Sequence, residues 1–241
     1  MYGMYGYGYG YGLDPTIILV LIGVALSLWA QGRVNSTFSR YSRVRSMTGM
    51  TGAEAARRLL NAQGIYDVTV QQIAGELTDH YDPRTKTVNL SQSVYGATSV
   101  AAIGVAAHEC GHAMQDNEGY APLRFRSALV PVANFGSSLS WPLILLGLVF
   151  GGLGSPLVEI GILMFSLAVL FQLVTLPVEY NAAARAVRLL DAQGILAGEE
   201  VNGTRKVLNA AALTYVAAAA TSILQLLRLI ILFGGRNRRD R

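Results

Sequence analysis

The sequence predicts a mainly α-helical, multi-pass membrane protein with three to four transmembrane helices and a small α+β region. Hydrophobic residues make up 52% of the chain and charged residues only 14%, whereas soluble domains carry about 25% charged residues. Several uncharged stretches are long enough to cross a bilayer. A polar region with mixed helix and strand patterns lies between the first two of these stretches.

The chain begins with a Tyr/Gly-rich segment, residues 1–14. We expect it to form a disordered tail, because so much glycine cannot support a packed core. Residues 15–31 carry no charge and predict the first transmembrane helix, with Trp29 as an interfacial anchor. No basic residue precedes this stretch and no small-residue cleavage site follows it, which argues against a secretory signal peptide.

The polar region comprises residues 33–126 and is the part of the chain in which we expect the functional site. Its first helix is expected from Thr51 to Gln63, where Gly64 ends it as a glycine C-cap followed by a hydrophobic residue. Residues 98–115 are mostly helix formers rich in alanine and valine. We therefore expect one largely buried helix near the end of this region.

A small β-hairpin is predicted between these two helices. Residues 68–75 and 85–91 alternate in polarity or are rich in β-branched side chains. Asp82-Pro83-Arg84 between them has the composition of a turn. The strand at 85–91 could also bind an extended substrate by edge pairing.

A transmembrane helical hairpin is predicted for residues 129–178, where two long uncharged stretches follow each other. Residues 179–206 are expected to form a helix and a loop, and residues 207–233 an apolar helix. Arg228 within that helix leaves open whether it crosses the bilayer. Residues 234–241 form a basic tail.

One ten-residue pattern occurs twice in the chain. ARRLLNAQGI at 56–65 and AVRLLDAQGI at 186–195 agree at most positions, while the surrounding sequence does not repeat. An inverted-repeat transporter is therefore not favoured. The pattern indicates two helices that end on the same glycine-containing C-terminus.

The motif H-E-C-G-H carries the candidate chemistry. His108 and His112 are four residues apart, so on a helix they lie on one face and can bind one zinc ion. Glu109 projects about 100° around the helix, where it can take the proton from an activated water without acting as a ligand. The uncharged residues around the motif are those of a buried metal-binding helix. The alternative is a pair of hydrogen-bonded core histidines.

A peptidase zinc site needs a third protein ligand. His80 and several carboxylates are candidates, and Glu179 is the best of them, because it lies where an uncharged stretch ends. We expect Pro177 to begin a new helix with Glu179 in its first turn. Two membrane crossings separate His112 from Glu179, so both parts of the site return to one membrane face. The alternative role of Glu179 is to stabilise a helix N-terminus.

Other residues could support the site. Asp79 and His80 could orient a ligand or stabilise negative charge, although an Asx-type turn is the simpler interpretation of this segment. Arg185 could hydrogen-bond a substrate carbonyl or lie on a solvated helix face. Cys110 is two residues from His108, so it points away from the zinc face as a small core residue.

Several segments together resemble the YugP-like neutral zinc metallopeptidases of bacterial membranes. They are LTDHYDPRTKTVNLS at 77–91, HECGHAMQ at 108–115, LPVEYNAAARA at 176–186 and LNAAALTYVAAAA at 208–220. The resemblance covers nearly the whole chain after the Tyr/Gly tail. It implies a zinc-dependent membrane protease in which Glu109 is catalytic and His108, His112 and Glu179 bind the metal.

The chain is also distantly similar to HtpX-like and CAAX prenyl proteases. Those proteins pair H-E-x-x-H with a later Glu-x-x-x-Asp. This sequence has Ala183 where that aspartate would fall. The role of the aspartate next to the ligands is therefore filled by another group or is absent here.

Basic residues predict a cytoplasmic catalytic site and an external N-terminus, because Lys and Arg are enriched in short cytoplasmic flanks. The C-terminal RNRRDR disagrees with this orientation if the last apolar helix crosses fully. The flanking basic residues on the catalytic side are Arg33, Arg40, Arg43, Arg45, Arg124, Arg126, Arg185, Arg188, Arg205 and Lys206.

These observations favour a cell-membrane metalloendopeptidase that binds one Zn²⁺ per chain and hydrolyses a protein or peptide substrate, with Glu109 as general base. Its small α+β region is then expected to be a zincin-like catalytic region. The lipid bilayer is its other expected partner, and no nucleic acid is expected. The alternative function is a non-proteolytic membrane scaffold or chaperone-like adaptor with a structural zinc, but a structural site needs no base. The sequence carries no pattern that identifies the substrate or the oligomeric state.

Overall fold

The computed structural model describes residues 14–152 and 155–233. The Tyr/Gly-rich tail up to residue 13 and the basic tail from residue 234 lie outside these residues. The helices are α1 (Ile17–Ser42), α2 (Gly52–Ala62), α3 (Gln92–Tyr95), α4 (Val100–Asn117), α5 (Ala121–Gly151), α6 (Pro156–Ala192) and α7 (Glu199–Phe233). The strands are β1 (Thr69–Ile73), β2 (His80–Asp82) and β3 (Thr87–Ser91).

Four helices of the described chain, α1, α5, α6 and α7, are long and apolar enough to cross a membrane. The remaining helices and the small sheet form the region between α1 and α5. The predicted fold class, a mainly α membrane protein with a small α+β region, is therefore confirmed. The structure also makes the last apolar segment a candidate span, although it contains Arg228.

Helices α1 and α7 lie side by side in opposite directions. At the start of α1, the Arg228 guanidinium donates hydrogen bonds to the Thr16 hydroxyl (3.2 Å) and the Asp14 carboxylate (3.3 Å). Further along, the Thr221 hydroxyl donates to the Gly23 carbonyl at 3.1 Å. Arg228 is thus paired with a carboxylate at the end of the helix pair opposite to the H-E-C-G-H motif.

Helices α5 and α6 form an antiparallel hairpin that is held together by glycines. A Cβ atom on Gly136 would lie 2.7 Å from the Met164 carbonyl oxygen, and one on Gly161 would lie 2.8 Å from the Ser140 carbonyl oxygen. Only glycine therefore allows this approach of the two backbones. The hairpin begins before residue 129 and ends beyond residue 178, because both helices extend out of the apolar stretch.

The expected helix start at Pro177 is wrong. Pro177 lies inside α6, which continues from the membrane stretch to Ala192. Proline removes one backbone donor, but apolar helices packed against neighbours tolerate this loss. Glu179 therefore projects from the middle of a helix rather than from its first turn. In the same way, α1 continues past residue 31 to Ser42, so the polar region begins with a membrane helix that extends out of its apolar stretch.

The three strands form one mixed sheet in the order β1-β3-β2. A β-hairpin is present, but its strands are β2 and β3, which pair antiparallel around the predicted turn. The Asp82 carboxylate accepts a hydrogen bond from the Arg84 backbone N–H at 2.9 Å, as in an Asx-type turn. The segment after residue 68 forms β1, which pairs with β3 in parallel instead. The chain reverses direction between β1 and β2 and again between β2 and β3, so β1 and β3 run the same way.

Strand β3 has a partner along both of its edges. The expectation that it binds substrate by edge pairing is therefore wrong, because its backbone groups are already used. The outer strands of this sheet are β1 and β2.

The repeated pattern marks two helix C-termini of the same kind, as predicted. Gly64 and Gly194 both have positive φ angles, +70° and +60°. The Ile65 N–H donates to the Leu60 carbonyl, and Ile195 repeats this contact with Leu190, each at 3.0 Å. Both isoleucines enter the core around α4.

Candidate active site

The helix α4 carries the H-E-C-G-H motif through the core of the polar region. Ser99 caps its N-terminus by accepting a hydrogen bond from the Ala102 N–H. The side chains of Glu109 and His112 are buried, and His108 is partly exposed. Cys110 is buried on the opposite face, with its Sγ atom 3.6 Å from the Ala56 carbonyl oxygen. This is the arrangement expected for a small core cysteine.

Three potential ligand side chains converge from α4 and α6. His108 Nε2 lies 3.2 Å from Glu179 Oε2, and His112 Nε2 lies 3.5 Å from the same oxygen. Ligand atoms at about 2.1 Å from a tetrahedral zinc ion are about 3.4 Å apart. The two distances between the histidines and the carboxylate are therefore close to this spacing, and all three donors lie within 4.8 Å of one another, so the group could hold one metal ion.

A close crossing of α4 and α6 brings the donors together. A Cβ atom on Gly111 would lie 2.6 Å from the Ala182 carbonyl oxygen and 3.1 Å from its Cα atom. Because glycine has no Cβ, the two helix backbones touch within one turn of His108, His112 and Glu179. The sequence motif thus contains, between its two histidines, the residue that permits contact with the third donor.

Gln115 fixes the orientation of His112. The Gln115 amide donates hydrogen bonds to the Val178 carbonyl and to Asn181 Oδ1, both at 2.9 Å. Its Oε1 atom is therefore the acceptor for the His112 Nδ1–H, at 3.0 Å. With the proton held on Nδ1, the lone pair of His112 Nε2 points towards Glu179 and is available for a metal.

Arg185 extends the same chain of hydrogen bonds. Its Nε atom donates to Asn181 Oδ1 at 2.8 Å, and its Nη1 atom forms an ion pair with Glu118 at 2.7 Å. Arg185 does not belong to the residues that line the cavity at the donor set. It is therefore placed to hold Asn181 and Gln115, and through them His112, rather than to contact a substrate.

Two buried polar groups near the donors have no protein partner among the described residues. They are His108 Nδ1 and Arg126 Nε. Arg126 Nη2 lies 3.8 Å from Glu179 Oε1, the carboxylate oxygen that does not face the histidines. A partly buried cation beside the third donor offsets part of its negative charge.

Glu109 is buried beside the donor set. Burial raises the pKa of its carboxyl group, while the neighbouring His108 and His112 act in the opposite direction. A carboxylate that is taken out of water accepts a proton more readily. This is the property required of a group that removes a proton from water.

A cavity of about 850 Å³ opens over these side chains. It is bounded by α1, the β2 segment, and the four helices α4 to α7, so every candidate membrane span contributes to its wall. Tyr215 of α7 lines it and lies close enough to Glu179 to interact with its carboxylate. The cavity thus lies where the membrane helices meet the polar region.

Asp79 and His80 line the cavity beside β2, but neither belongs to the donor set of the described residues. Asp79 accepts hydrogen bonds from the backbone N–H and hydroxyl of Ser91. His80 Nδ1 bonds to the Thr78 carbonyl at 2.9 Å, and the Asn89 amide donates to His80 Nε2 at 3.2 Å. Both ring nitrogens of His80 are therefore engaged by protein groups, so in this arrangement His80 supports the sheet rather than offering a metal ligand.

Sequence reasoning did not assign a site role to Gln115, Arg126 or Tyr215. Gln115 carried a usable signal, because a polar residue three positions after His112 lies on the same face of a buried helix. In the sequence Arg126 is one of the basic residues that indicate membrane orientation, and Tyr215 lies in an apolar helix far along the chain. Their positions depend on how α5 and α7 pack, which no local pattern contains.

The fold and the donor set together place this chain among helical membrane proteins with a candidate zinc-hydrolase centre. The chain belongs to the family described as "Putative neutral zinc metallopeptidase", whose sequence model matches residues 16–234. This confirms the resemblance that the motifs carried.

The chain is also similar to a protein of Bacillus subtilis (strain 168) named "Putative membrane protease YugP". The two are 49% identical over 217 residues, which are 90% of this chain and 96% of that protein. No solved structure matches the chain.

Proposed function

We propose that this protein is a zinc-dependent membrane metalloendopeptidase, with His108, His112 and Glu179 as metal ligands and Glu109 as general base. The observation that carries the proposal is the meeting of the three donors at 3.2 and 3.5 Å beside a buried carboxylate in a large cavity. Family membership and the name of the similar protein support zinc and membrane proteolysis.

The roles of the residues follow from their positions. A bound zinc ion would acidify a water molecule and polarise the scissile carbonyl. Glu109 accepts the proton of the attacking water and later donates it to the leaving amine. Burial raises the pKa of its carboxyl group, which favours the protonated form of Glu109 between these two steps. Arg126 and Tyr215 face the carboxylate of Glu179 from α5 and α7 and help to fix it.

The sheet supports an extended substrate through β2 rather than β3. Strand β2 is an outer strand, and the residues from His80 to Arg84 line the cavity. An extended peptide that pairs with the free edge of β2 would lie across the donor set. A cavity between membrane helices and a sheet edge fits a peptide segment that is unfolded at the membrane face.

Proteolysis of an unstructured protein by the purified full chain tests the proposed chemistry. Glu109→Gln keeps the size of the side chain and removes the base, so we expect cleavage to fall by at least about 10²-fold while zinc content stays the same. Glu76→Gln, at an exposed loop position, is the matched control and should cleave like the wild type. Unchanged cleavage by Glu109→Gln would show that the proposed mechanism is wrong.

Zinc content per chain tests the ligand set. Glu179→Ala removes one of three donors and should lower zinc occupancy and cleavage together. Full occupancy in this variant would exclude Glu179 as a ligand. Zinc-loaded wild type that cleaves none of a panel of unfolded proteins and membrane proteins would instead favour the scaffold or adaptor function with a structural zinc.

We further propose that the site faces the cytoplasm, which the basic flanks of the spans support. Cysteine labelling with a membrane-impermeant maleimide tests this orientation. Single cysteine replacements are suitable at two exposed positions. They are Tyr66, 78% exposed in the polar region, and Phe150, 80% exposed at the far end of α5. In intact cells Phe150→Cys should react and Tyr66→Cys should react only after lysis, and the reverse pattern would overturn the proposal. Burial raises the pKa of the native Cys110 thiol, so its background labelling is low.

A further inference from the structure

A second cavity of about 660 Å³ lies between α1, α6 and α7. It shares no lining residue with the cavity over the donor set. The two cavities use different faces of α1, since Val34 and Phe38 line the first one while Arg33, Thr37 and Arg40 line the second. We name the second cavity the basic groove; its remaining lining residues are Ser36, Tyr41, Tyr180, Lys206, Asn209, Ala210 and Leu213.

The basic groove carries three cations and no carboxylate. Arg33 and Arg40 come from α1 and Lys206 from α7, and all three are exposed. Among the described residues, none of them forms an ion pair with Asp or Glu. Three uncompensated positive charges around one concavity create a site for an anion.

The groove also offers neutral hydrogen-bond donors. Hydroxyl groups of Thr37, Tyr41 and Tyr180 and the amide of Asn209 line it beside the cations, whereas the Ser36 hydroxyl donates to the Arg33 carbonyl. Tetrahedral phosphate oxygens accept hydrogen bonds from such donors as well as from Arg and Lys. The chemistry of the lining is therefore that of a phosphate site.

The position of the groove along the helices coincides with the membrane boundary. Arg33 follows the uncharged stretch of α1, Lys206 directly precedes the apolar stretch of α7, and Tyr180 follows that of α6. Three apolar stretches thus end at one level around the groove. Lipid headgroups occupy this level of a bilayer.

Exposed apolar side chains continue from the groove towards the membrane interior. Trp29 lies one turn before Arg33 on α1, Leu173 lies two turns before Tyr180 on α6, and Val216 lies two turns after Asn209 on α7. Residues at these spacings share a helix face. An acyl chain attached to a phosphate in the groove therefore meets apolar surface below it, which a free phosphate ion would not use.

We propose that the basic groove is a binding site for the phosphate headgroup of an anionic glycerophospholipid. Arg33, Arg40 and Lys206 bind the phosphate, and the apolar faces of α1, α6 and α7 contact the acyl chains. The bound lipid bridges α1 and α7 to α6, the helix that carries Glu179.

Native mass spectrometry of the full chain in micelles, with equal amounts of dioleoyl-phosphatidylglycerol and dioleoyl-phosphatidylcholine, tests the site. We expect wild type to retain the phosphatidylglycerol preferentially. A variant with Arg33→Gln, Arg40→Gln and Lys206→Gln should retain about tenfold less phosphatidylglycerol than the wild type. The matched control removes three charges from outside the groove: Arg43→Gln, Arg188→Gln and Arg205→Gln. It should bind like the wild type.

A charge-conserving variant and a competition experiment separate lipid binding from misfolding and from simple phosphate binding. A variant with Arg33→Lys and Arg40→Lys keeps the charge and should retain the lipid even if the triple glutamine variant fails to fold. Excess inorganic phosphate should leave the lipid bound, because it cannot make the acyl contacts. Equal loss in the groove and control variants, equal retention of both lipids by the wild type, or displacement by inorganic phosphate would each overturn the proposal.

Discussion

Single side chains around the donor set decide how it is oriented. Gln115 is fully buried and uses both ends of its amide, one for His112 and the other for Val178 and Asn181. It therefore couples the ring of one histidine to the helix that carries the third donor. Groups that orient metal ligands in this way strengthen metal binding, because they fix the tautomer and remove the freedom of the ring.

Replacement of Gln115 tests this role. Gln115→Leu removes the acceptor for His112 Nδ1, so zinc affinity should fall by about 10- to 100-fold. Gln115→Glu keeps an acceptor and should retain more of the affinity than Gln115→Leu. Competition with a chromophoric chelator measures both variants, and Gln72→Leu on the exposed face of β1 is the control. Equal losses in Gln115→Leu and Gln115→Glu would contradict an orienting role.

The sequence predicted the motif residues from spacing alone, since His108 and His112 share a helix face whatever surrounds them. The placement of His80 could not be predicted in this way. Its two nitrogens are engaged by Thr78 and Asn89, and the contact with Asn89 exists only because β2 pairs with β3. A local pattern shows that a histidine is near a turn, but not which partners the sheet gives it.

Among the elements, α4 and α6 cross in close backbone contact beside the donor set. Gly111 touches the backbone of Ala182, and the donors of both helices lie within one turn of this point. Any side chain at position 111 must push the helices apart. The separation of His108 and His112 from Glu179 then grows directly, because the three donors lie on facing surfaces.

Gly111→Ala tests the crossing. The added Cβ would meet the Ala182 carbonyl oxygen at 2.6 Å, so we expect a loss of about 1–3 kcal/mol in the free energy of unfolding together with weaker zinc binding. Gly32→Ala in α1 is the matched control, because a Cβ there meets nothing within 4 Å. The control should be neutral or slightly stabilising. Thermal unfolding and zinc content measure both, and full zinc occupancy with wild-type stability in Gly111→Ala would refute this account.

Element boundaries show where local patterns were insufficient. Pro177 is a sound local signal for a helix start, yet α6 runs through it, because packing against α5 and α7 stabilises the helix on both sides. The sheet order had a similar cause. Strands 69–73 and 87–91 are neighbours, as their composition suggests, but β2 lies between them in the sequence and runs antiparallel to β3. The chain therefore reverses twice between β1 and β3, which makes their pairing parallel.

At the scale of the whole molecule, the donor set connects two parts of the chain that also meet through the hydrogen bonds of Gln115 and the ion pair of Arg185. His108 and His112 belong to the polar region, and Glu179 belongs to the membrane hairpin. A ligand bound by both parts stabilises the folded state in proportion to its occupancy.

Removal of zinc should therefore destabilise the whole protein. At a free zinc concentration of 100 times the Kd, the stabilisation is about 2.7 kcal/mol, and a chelator should abolish it. Thermal unfolding of wild type with and without dipicolinate measures the effect. Glu179→Ala should unfold at nearly the same temperature under both conditions, and an equal chelator effect in both proteins would place the stabilising metal elsewhere.

The order in which the donors are synthesised has a consequence for the cell. The two histidines leave the ribosome well before Glu179, and the intervening 66 residues, 113–178, contain both crossings of the hairpin. The site is therefore incomplete until the hairpin has been inserted. Translated without membranes, the full chain should cleave no substrate, whereas translation into nanodiscs should yield activity. For the proposed protease, membrane insertion would then be a maturation step comparable to the removal of a pro-segment.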